Sequence, residues 1–206
     1  MKIIKILLGL YLLNGITFAA QIPFIAKTPQ TPRTLTQGFI DLEKAINEGN
    51  FTLARELIEK GVHVDQDTPP LNLIFPIEKN ENLEKTADER IAFAKYLIDS
   101  GHNVNTENIV GVAALQSLVA RATNYANSWV TKNSIEAIVI PLTELFMKAG
   151  VSLAQLKKVH ALLTYRACIT ETCGGLCSIG CKSYGHYWKQ NIEPIIHGKK
   201  PYIKEQ

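Results

Sequence analysis

Residues 51–61 of the chain, FTLARELIEKG, return at residues 91–101 as IAFAKYLIDSG, and a weaker third copy, IPLTELFMKAG, occupies residues 140–150. In each copy most apolar residues lie on one face of an α-helix, because they recur every three or four positions. Each copy ends on a glycine, which can take the left-handed conformation that closes a helix. Self-similarity of this kind predicts stacked structural repeats.

The three copies predict three buried stripes and an extended segment after each glycine. The stripes comprise Phe51, Leu53, Ala54, Leu57 and Ile58 in the first copy, Ile91, Phe93, Ala94, Leu97 and Ile98 in the second, and Ile140, Leu142, Phe146 and Met147 in the third. The expected extended segments begin at Val64-Asp65, Val104-Asn105 and Leu153-Ala154.

A second helix is expected before each copy, so that the helices form antiparallel pairs. The first has an apolar face of Phe39, Ile40, Leu42, Ala45 and Ile46, and Asn50 can cap the helix that follows it. The second starts at residues 70–75. Thr86 to Glu89 is interpreted as a capping box for the helix that pairs with it. The third starts at residues 111–118. The sequence leaves open whether Pro141 lies in the first turn of its helix or kinks a longer one.

The chain resembles an ankyrin-repeat protein over about residues 38–164. The motifs that carry the resemblance are the glycine-ended helices and the segments that open the next helix: Pro69-Pro70-Leu71-Asn72 and Ala113-Ala114-Leu115-Gln116 stand where the family writes Thr-Pro-Leu-His, and Val159 to Leu163, with His160, could open a last inner helix. The departures are the glycine-to-glycine spacings of 40 and 49 residues, from Gly61 to Gly101 and from Gly101 to Gly150, against about 33 in the family. The fold class expected is all-α, an ankyrin-like helical-hairpin solenoid of three to four degenerate repeats; another helical-hairpin solenoid is the alternative.

The resemblance implies a non-catalytic module that binds a protein partner through its loop tips and inner helices. The residues it places on that surface are Gln66, Asp67, Asn105, Thr106, Glu107 and Asn108, together with the exposed side of residues 115–121. Each of these polar residues is also of a type that is commonly found solvated in a surface loop.

The amino terminus has the pattern of a secretory signal. Lys2 and Lys5 precede an apolar run, and small residues near Ala19 suit cleavage. We interpret residues 1–20 as a signal peptide, 21–37 as an extended linker, 38–165 as the repeat domain and 166–206 as a cysteine-containing tail. The expected location is secreted or periplasmic, without a membrane span after cleavage.

The charge of the chain argues against a nucleic-acid partner. The full sequence has 22 Lys+Arg and 19 Asp+Glu, for a formal net charge of +3. Cleavage after Ala19 removes two lysines, which leaves 20 against 19, or +1. Lys and Arg are not clustered as a nucleic-acid surface requires.

All four cysteines, Cys168, Cys173, Cys177 and Cys181, lie within fourteen residues of the tail. In an exported chain such a cluster favours disulfide bonds that staple a short segment to the end of the solenoid. The sequence does not assign the pairing. The alternative is a metal-binding or thiol-redox protein centred on this cluster, with His186 completing a zinc site, although the spacings lack paired Cys-x2-Cys motifs.

No motif for a nucleophile, a catalytic metal or a phosphate-binding loop is present, so we predict neither an enzyme nor a cofactor. The five histidines are dispersed. His160, on an apolar helical stretch, is interpreted as a hydrogen-bonded structural residue. A second alternative is a hydrolase, which would need His160 and a free Cys168 in one pocket.

Overall fold

The computed structural model describes residues 37–62, 68–76, 81–124, 129–166, 168–169 and 179–202. The predicted signal peptide and nearly all of the predicted linker lie outside these ranges. Four of the predicted site residues also lie outside them: Gln66, Asp67, Cys173 and Cys177.

The described residues form helices and turns, without a strand, which confirms the all-α prediction. The helices are α1 (Gln37–Glu48), α2 (Phe51–Glu59), a 3-10 helix (Pro70–Leu73), α3 (Ala87–Asp99), α4 (Ala114–Ala122), α5 (Lys132–Ser134, Ile135–Val139 and Ile140–Lys148 in succession), α6 (Leu153–Tyr165), α7 (Ile179–Asn191) and α8 (Glu193–Ile196). Within the described ranges no helix is both long and apolar enough to cross a membrane.

The three repeated sequences end their helices in the same way. Gly61, Gly101 and Gly150 have φ angles of 76°, 92° and 85°. In each case the glycine N–H donates to the carbonyl three residues back, and the next N–H donates to the carbonyl five residues back, at 2.9–3.1 Å. This paired closure is the Schellman motif, so the predicted helix ends are confirmed.

The predicted stripes face the core in the second and third copies, where Ile91, Ile98, Ile140 and Met147 are partly buried and the other stripe residues are buried. In the first copy the stripe is confirmed only in part. Phe93, Leu97 and Leu142 are fully buried. In the first copy Phe51 and Ala54 are buried, but Leu53 is 38% exposed. The prediction is therefore wrong for Leu53, and for Ile40 on α1, which is 42% exposed. Helical spacing places a residue near a face, but the neighbouring element decides whether that position is covered.

The helices contact one another in two series. In one series α1 contacts the 3-10 helix, the 3-10 helix contacts α4, and α4 contacts α6. In the other, α2 contacts α3, α3 contacts α5, and α5 contacts α7. The two series are joined where α1 packs on α2 and α4 packs on α5, and α8 packs on α6 and α7.

Hydrogen bonds from arginine side chains connect neighbouring members of the first series. Arg121 Nη1, at the end of α4, donates to the Phe75 carbonyl just after the 3-10 helix. Arg166 Nη1, at the end of α6, donates to the Ala120 carbonyl near the end of α4 at 2.6 Å. Each arginine therefore bonds a carbonyl at the carboxyl end of the preceding element, where free carbonyls and the helix dipole favour a cation.

Three local predictions differ from the structure. The helix expected over residues 70–75 is a single 3-10 turn, Pro70–Leu73. Thr86 does not form a capping box, because its hydroxyl donates to the carbonyls of Asn82 and Leu83 instead of accepting from α3. The last inner helix begins at Leu153 rather than near Val159, because Ser152 accepts the Gln155 N–H. Leu153-Ala154 is thus helical rather than extended.

The structure decides the position of Pro141. Helix α5 begins at Lys132, more than two turns before Pro141, so Pro141 lies inside the helix and not in its first turn. Pro141 has no N–H to continue an α-helical ladder, and the segment just before it, Ile135–Val139, is π-helical. A π segment of this kind is a recognised way for a helix to absorb a local disruption.

The tail contains a helix, α7, with a buried stripe. Cys181, Tyr184, Trp188 and Ile192 recur every three or four residues and are buried. Cysteine and tyrosine carry part of this stripe, which made it hard to recognise from apolar residues alone. Burial raises the pKa of Tyr184, whose hydroxyl bonds Thr143 on α5 at 2.9 Å.

A disulfide joins Cys168, which follows α6, to Cys181 on α7. This confirms a disulfide in the tail, whereas Cys173 and Cys177 lie outside the described residues. Gly185 lies directly against the same segment: a Cβ there would come within 1.9 Å of the Cys168 carbonyl oxygen. The disulfide and this close approach hold α7 against the end of α6.

We predict that Leu97→Ala lowers the free energy of unfolding by about 2 to 5 kcal/mol, because it leaves a cavity at a fully buried position. Leu57→Ala, at the equivalent place in the first copy, should cost less than half as much, because Leu57 is only partly buried. Urea unfolding of both variants measures the difference. Equal losses would contradict the burial pattern.

Candidate functional site

Residues 103–112, between α3 and α4, form a projecting loop that we call the finger loop. Val104 is 1% exposed and fixes the base of the loop in the core. At the tip, the Asn108 N–H donates to the Val112 carbonyl at 3.0 Å. The Asn108 Oδ1 accepts from the N–H groups of Val110 and Val112 at 3.1 and 2.9 Å. Asn108 therefore organises the tip by replacing backbone partners with its own side chain.

The organised tip presents apolar side chains. Val110 is 73% exposed and Ile109 is 45% exposed. Both follow the polar stretch from Asn105 to Asn108, so the tip combines an apolar end with a polar stem. A fixed turn that holds apolar side chains in solvent is suited to docking in a partner, because little further ordering is needed on binding.

Asn105 connects the stem of the finger loop to the next helix pair. Its Nδ2 donates to the Gly150 carbonyl at 3.0 Å, and its Oδ1 accepts from the Ser152 N–H at 2.7 Å. Both side-chain groups thus bond to the backbone of the turn between α5 and α6. The position of the finger loop is therefore set by the turn between α5 and α6.

Glu107 makes a second connection to α6. Its Oε1 accepts from Lys158 Nζ and from Gln155 Nε2, and Lys158 also donates to the Gly111 carbonyl at 3.2 Å. The bond from Lys158 holds the pKa of the Glu107 carboxyl below its ordinary value, and burial offsets part of this. The contribution of Glu107 to stability is present above the pKa of an unfolded glutamate and is lost as the pH falls through the lower folded-state value.

The structure thus gives different surroundings to the four predicted finger residues that it describes. Asn105, Glu107 and Asn108 bond within the molecule, whereas the Thr106 side chain is exposed. Their contact with a partner stays a prediction. Ile109 and Val110 are not among the predicted binding residues, although two adjacent β-branched residues inside a polar loop are a sequence signal for an exposed apolar tip.

The disulfide changes the interpretation of the cysteine-based alternatives. Cys168 is bonded to Cys181, so it is not the free nucleophile that the hydrolase with His160 requires. The same bond removes two of the four thiols from the zinc hypothesis. His186 is exposed and its Nε2 lies 2.9 Å from Gln190 Nε2. His160 is hydrogen-bonded as predicted, because its Nδ1 accepts from Trp188 Nε1 at 3.3 Å.

Among the described residues, one group of side chains has ligand atoms that could bind a metal ion. It was not predicted from the sequence. His160, Glu193 and His197 each place a ligand atom within 4.8 Å of the other two. Glu193 and His197 are four residues apart, which is a weak signal in sequence, and His160 joins them only through the packing of α8 on α6.

Comparisons of the chain with protein-family models, with curated proteins and with solved structures found no match. The ankyrin-like assignment therefore stays a proposal that depends on the sequence motifs and on the geometry of the helices.

We predict that Asn105→Ala lowers the free energy of unfolding by about 1 to 3 kcal/mol, because two backbone groups of the next turn lose a partner. It should also speed hydrogen exchange at the Ser152 amide. Thr106→Ala, one residue along the same loop, is the matched control and should change stability by less than about 0.5 kcal/mol. Indistinguishable variants would show that the finger loop is not held by Asn105.

Proposed function

We propose that this chain is an exported, ankyrin-like helical-repeat protein that binds a protein partner through its finger loop. The observation that carries the proposal is the Asn108-organised tip, which holds Val110 at 73% exposure. Two exposed apolar side chains on a fixed turn can bury their surface in a pocket of the partner with little further ordering.

The helix contacts support a repeat architecture. The two series of helices follow chain order, as they do when successive helix pairs stack, and each pair touches mainly its neighbours. The recurring closure at Gly61, Gly101 and Gly150 gives each pair the same end. These features favour a helical-hairpin solenoid, and the motifs at the helix starts favour the ankyrin type.

Side-chain bonds between the first opening motif and the next inner helix support the same architecture. Asn72 stands at the fourth position of the first opening motif, and its Nδ2 donates to the Val112 carbonyl, just before the next inner helix, at 2.8 Å. Ser117 Oγ, on that next helix, donates back to the Asn72 carbonyl at 3.0 Å. In an ankyrin-like stack, this position would join one repeat to the following one.

The tail is consistent with an exported protein. The Cys168–Cys181 bond suits an oxidising compartment, since thiols are kept reduced in most cytosols. This agrees with the signal-like amino terminus, and it weighs against the alternative of a metal-binding or redox protein that uses these thiols.

Site-specific photo-crosslinking tests the proposal. A photoreactive amino acid is placed at Val110, and the protein is irradiated in its native exported fraction. We expect a discrete crosslinked species whose partner is identified by mass spectrometry. The matched control carries the same amino acid at Ile40, which is 42% exposed on α1, far from the finger loop in sequence.

Two further results discriminate the proposal. Asn108→Ala keeps both apolar side chains but removes the bonds that order the tip, so it should reduce the yield of the Val110 crosslink at least about tenfold if the fixed turn is required. The same crosslinked species from Ile40 and Val110, or none from Val110, would contradict a finger-loop interface.

A further inference from the structure

Two potential metal ligands lie beside His160 of α6: Glu193, the first residue of α8, and His197, the residue that follows α8. Glu193 and His197 lie four residues apart, and the Glu193 Oε1 to His197 Nε2 distance is 3.7 Å. The rings of His160 and His197 meet edge to face, with centroids 5.9 Å apart. Two imidazoles and one carboxylate form a donor set that binds Zn²⁺ in proteins and leaves a fourth position for water.

Backbone hydrogen bonds fix the segment that carries Glu193 and His197. The Gly198 N–H donates to the Ile195 carbonyl at 3.1 Å, and the Lys199 N–H donates to the Pro194 carbonyl at 2.7 Å. Ile195 and Ile196 pack against the core from the same helix. This closure fixes the backbone that carries His197 beside α6.

The distances fit a site that closes on binding. Ligands about 2.1 Å from a tetrahedral zinc ion lie roughly 3.4 Å from one another. The three ligand atoms lie within 4.8 Å of one another, so no gap has to shorten by more than roughly 1.4 Å. The His197 side chain is 50% exposed, which leaves its ring room to rotate toward His160.

Because Trp188 donates a hydrogen bond to His160, its fluorescence can report metal binding at that histidine. Because Trp188 Nε1 is a donor only, His160 Nδ1 must present a lone pair to it, and the neutral ring then carries its proton on Nε2. A metal bound at Nε2 requires that proton on Nδ1, where it would face the indole N–H. A metal bound at Nδ1 displaces the indole directly. Either mode breaks the bond of Trp188, whose side chain is fully buried.

We propose that His160, Glu193 and His197 form a Zn²⁺ site that fastens α8 to α6. The disulfide holds the start of α7 to the end of α6, and the metal would hold the chain after α7 to the middle of α6. The site is separate from the finger loop, so it adds a function that does not depend on the proposed interface. It also differs from the zinc hypothesis based on the cysteines, because it uses none of them.

Zinc titration of the exported protein tests the proposal. The protein carries Trp129→Phe, so that Trp188 is its only tryptophan, and is treated with chelator before Zn²⁺ is added. We expect one Zn²⁺ per chain by calorimetry and a saturable change of Trp188 fluorescence with the same midpoint. Glu193→Gln and His197→Gln should each weaken binding at least about tenfold.

The matched control is His186→Gln, which removes an exposed histidine of α7 that lies near Gln190 and is not part of the cluster. It should leave the affinity and the fluorescence change unaltered. His197 is itself exposed, so His197→Gln should fold, and far-UV circular dichroism checks this. The proposal is overturned if Zn²⁺ produces neither stoichiometric heat nor a change of Trp188 fluorescence. It is also overturned if the affinity for Zn²⁺ is unchanged by His197→Gln but lost with His186→Gln.

Discussion

The buried guanidinium of Arg90 is the interaction on which the first half of the structure depends. Arg90, on α3, is fully buried, and its Nη1 donates to the carbonyls of Ile46 and Ile74 at 3.2 and 2.6 Å. The guanidinium also lies 5.0 Å from the centre of the Phe51 ring. One side chain therefore joins α3 to the end of α1, to the start of α2 and to the segment after the 3-10 helix. Burial lowers its pKa to about 10, so it stays charged at neutral pH.

A buried cation needs compensation, and among the described residues Arg90 obtains part of it from two backbone carbonyls at Nη1 and from an aromatic face, while its Nε and Nη2 are buried without a hydrogen-bond partner. Arg121 and Arg166 likewise donate to a backbone carbonyl of the preceding element at the next two junctions. Each such bond contributes about 1.5 to 3 kcal/mol, the range for hydrogen bonds to charged groups. Apolar burial gives each pair its compactness, while these directional bonds fix how one pair sits on the next. Asn72 and Asn105 act in the same way from the opening motifs and the finger loop.

The sequence predicted what depends on local spacing. The three glycine-ended helices, the Asn50 cap and the helical class could all be read from periodicity and from residue types with one strong conformational preference. The sequence could not supply what depends on a distant neighbour. Leu53 and Phe93 hold the same place in the repeat, yet only Phe93 is covered. Backbone carbonyls accept from Arg90, Arg121 and Arg166, and every residue has one, so no pattern of side chains marks these acceptors. The cluster of His160 with Glu193 and His197 is likewise a product of packing.

The helices contact mainly their neighbours in the two series, and the finger loop is held in position by the turn between α5 and α6. Native-state hydrogen exchange of Arg90→Met tests this most directly, because methionine keeps the length of the side chain and removes its donors. We expect the amides of α1, α2 and α3 to lose the most protection from exchange, while the amides of α6 and of the turn at Ser152 keep their protection. An even loss over all helices, or no loss in α1 to α3, would contradict it.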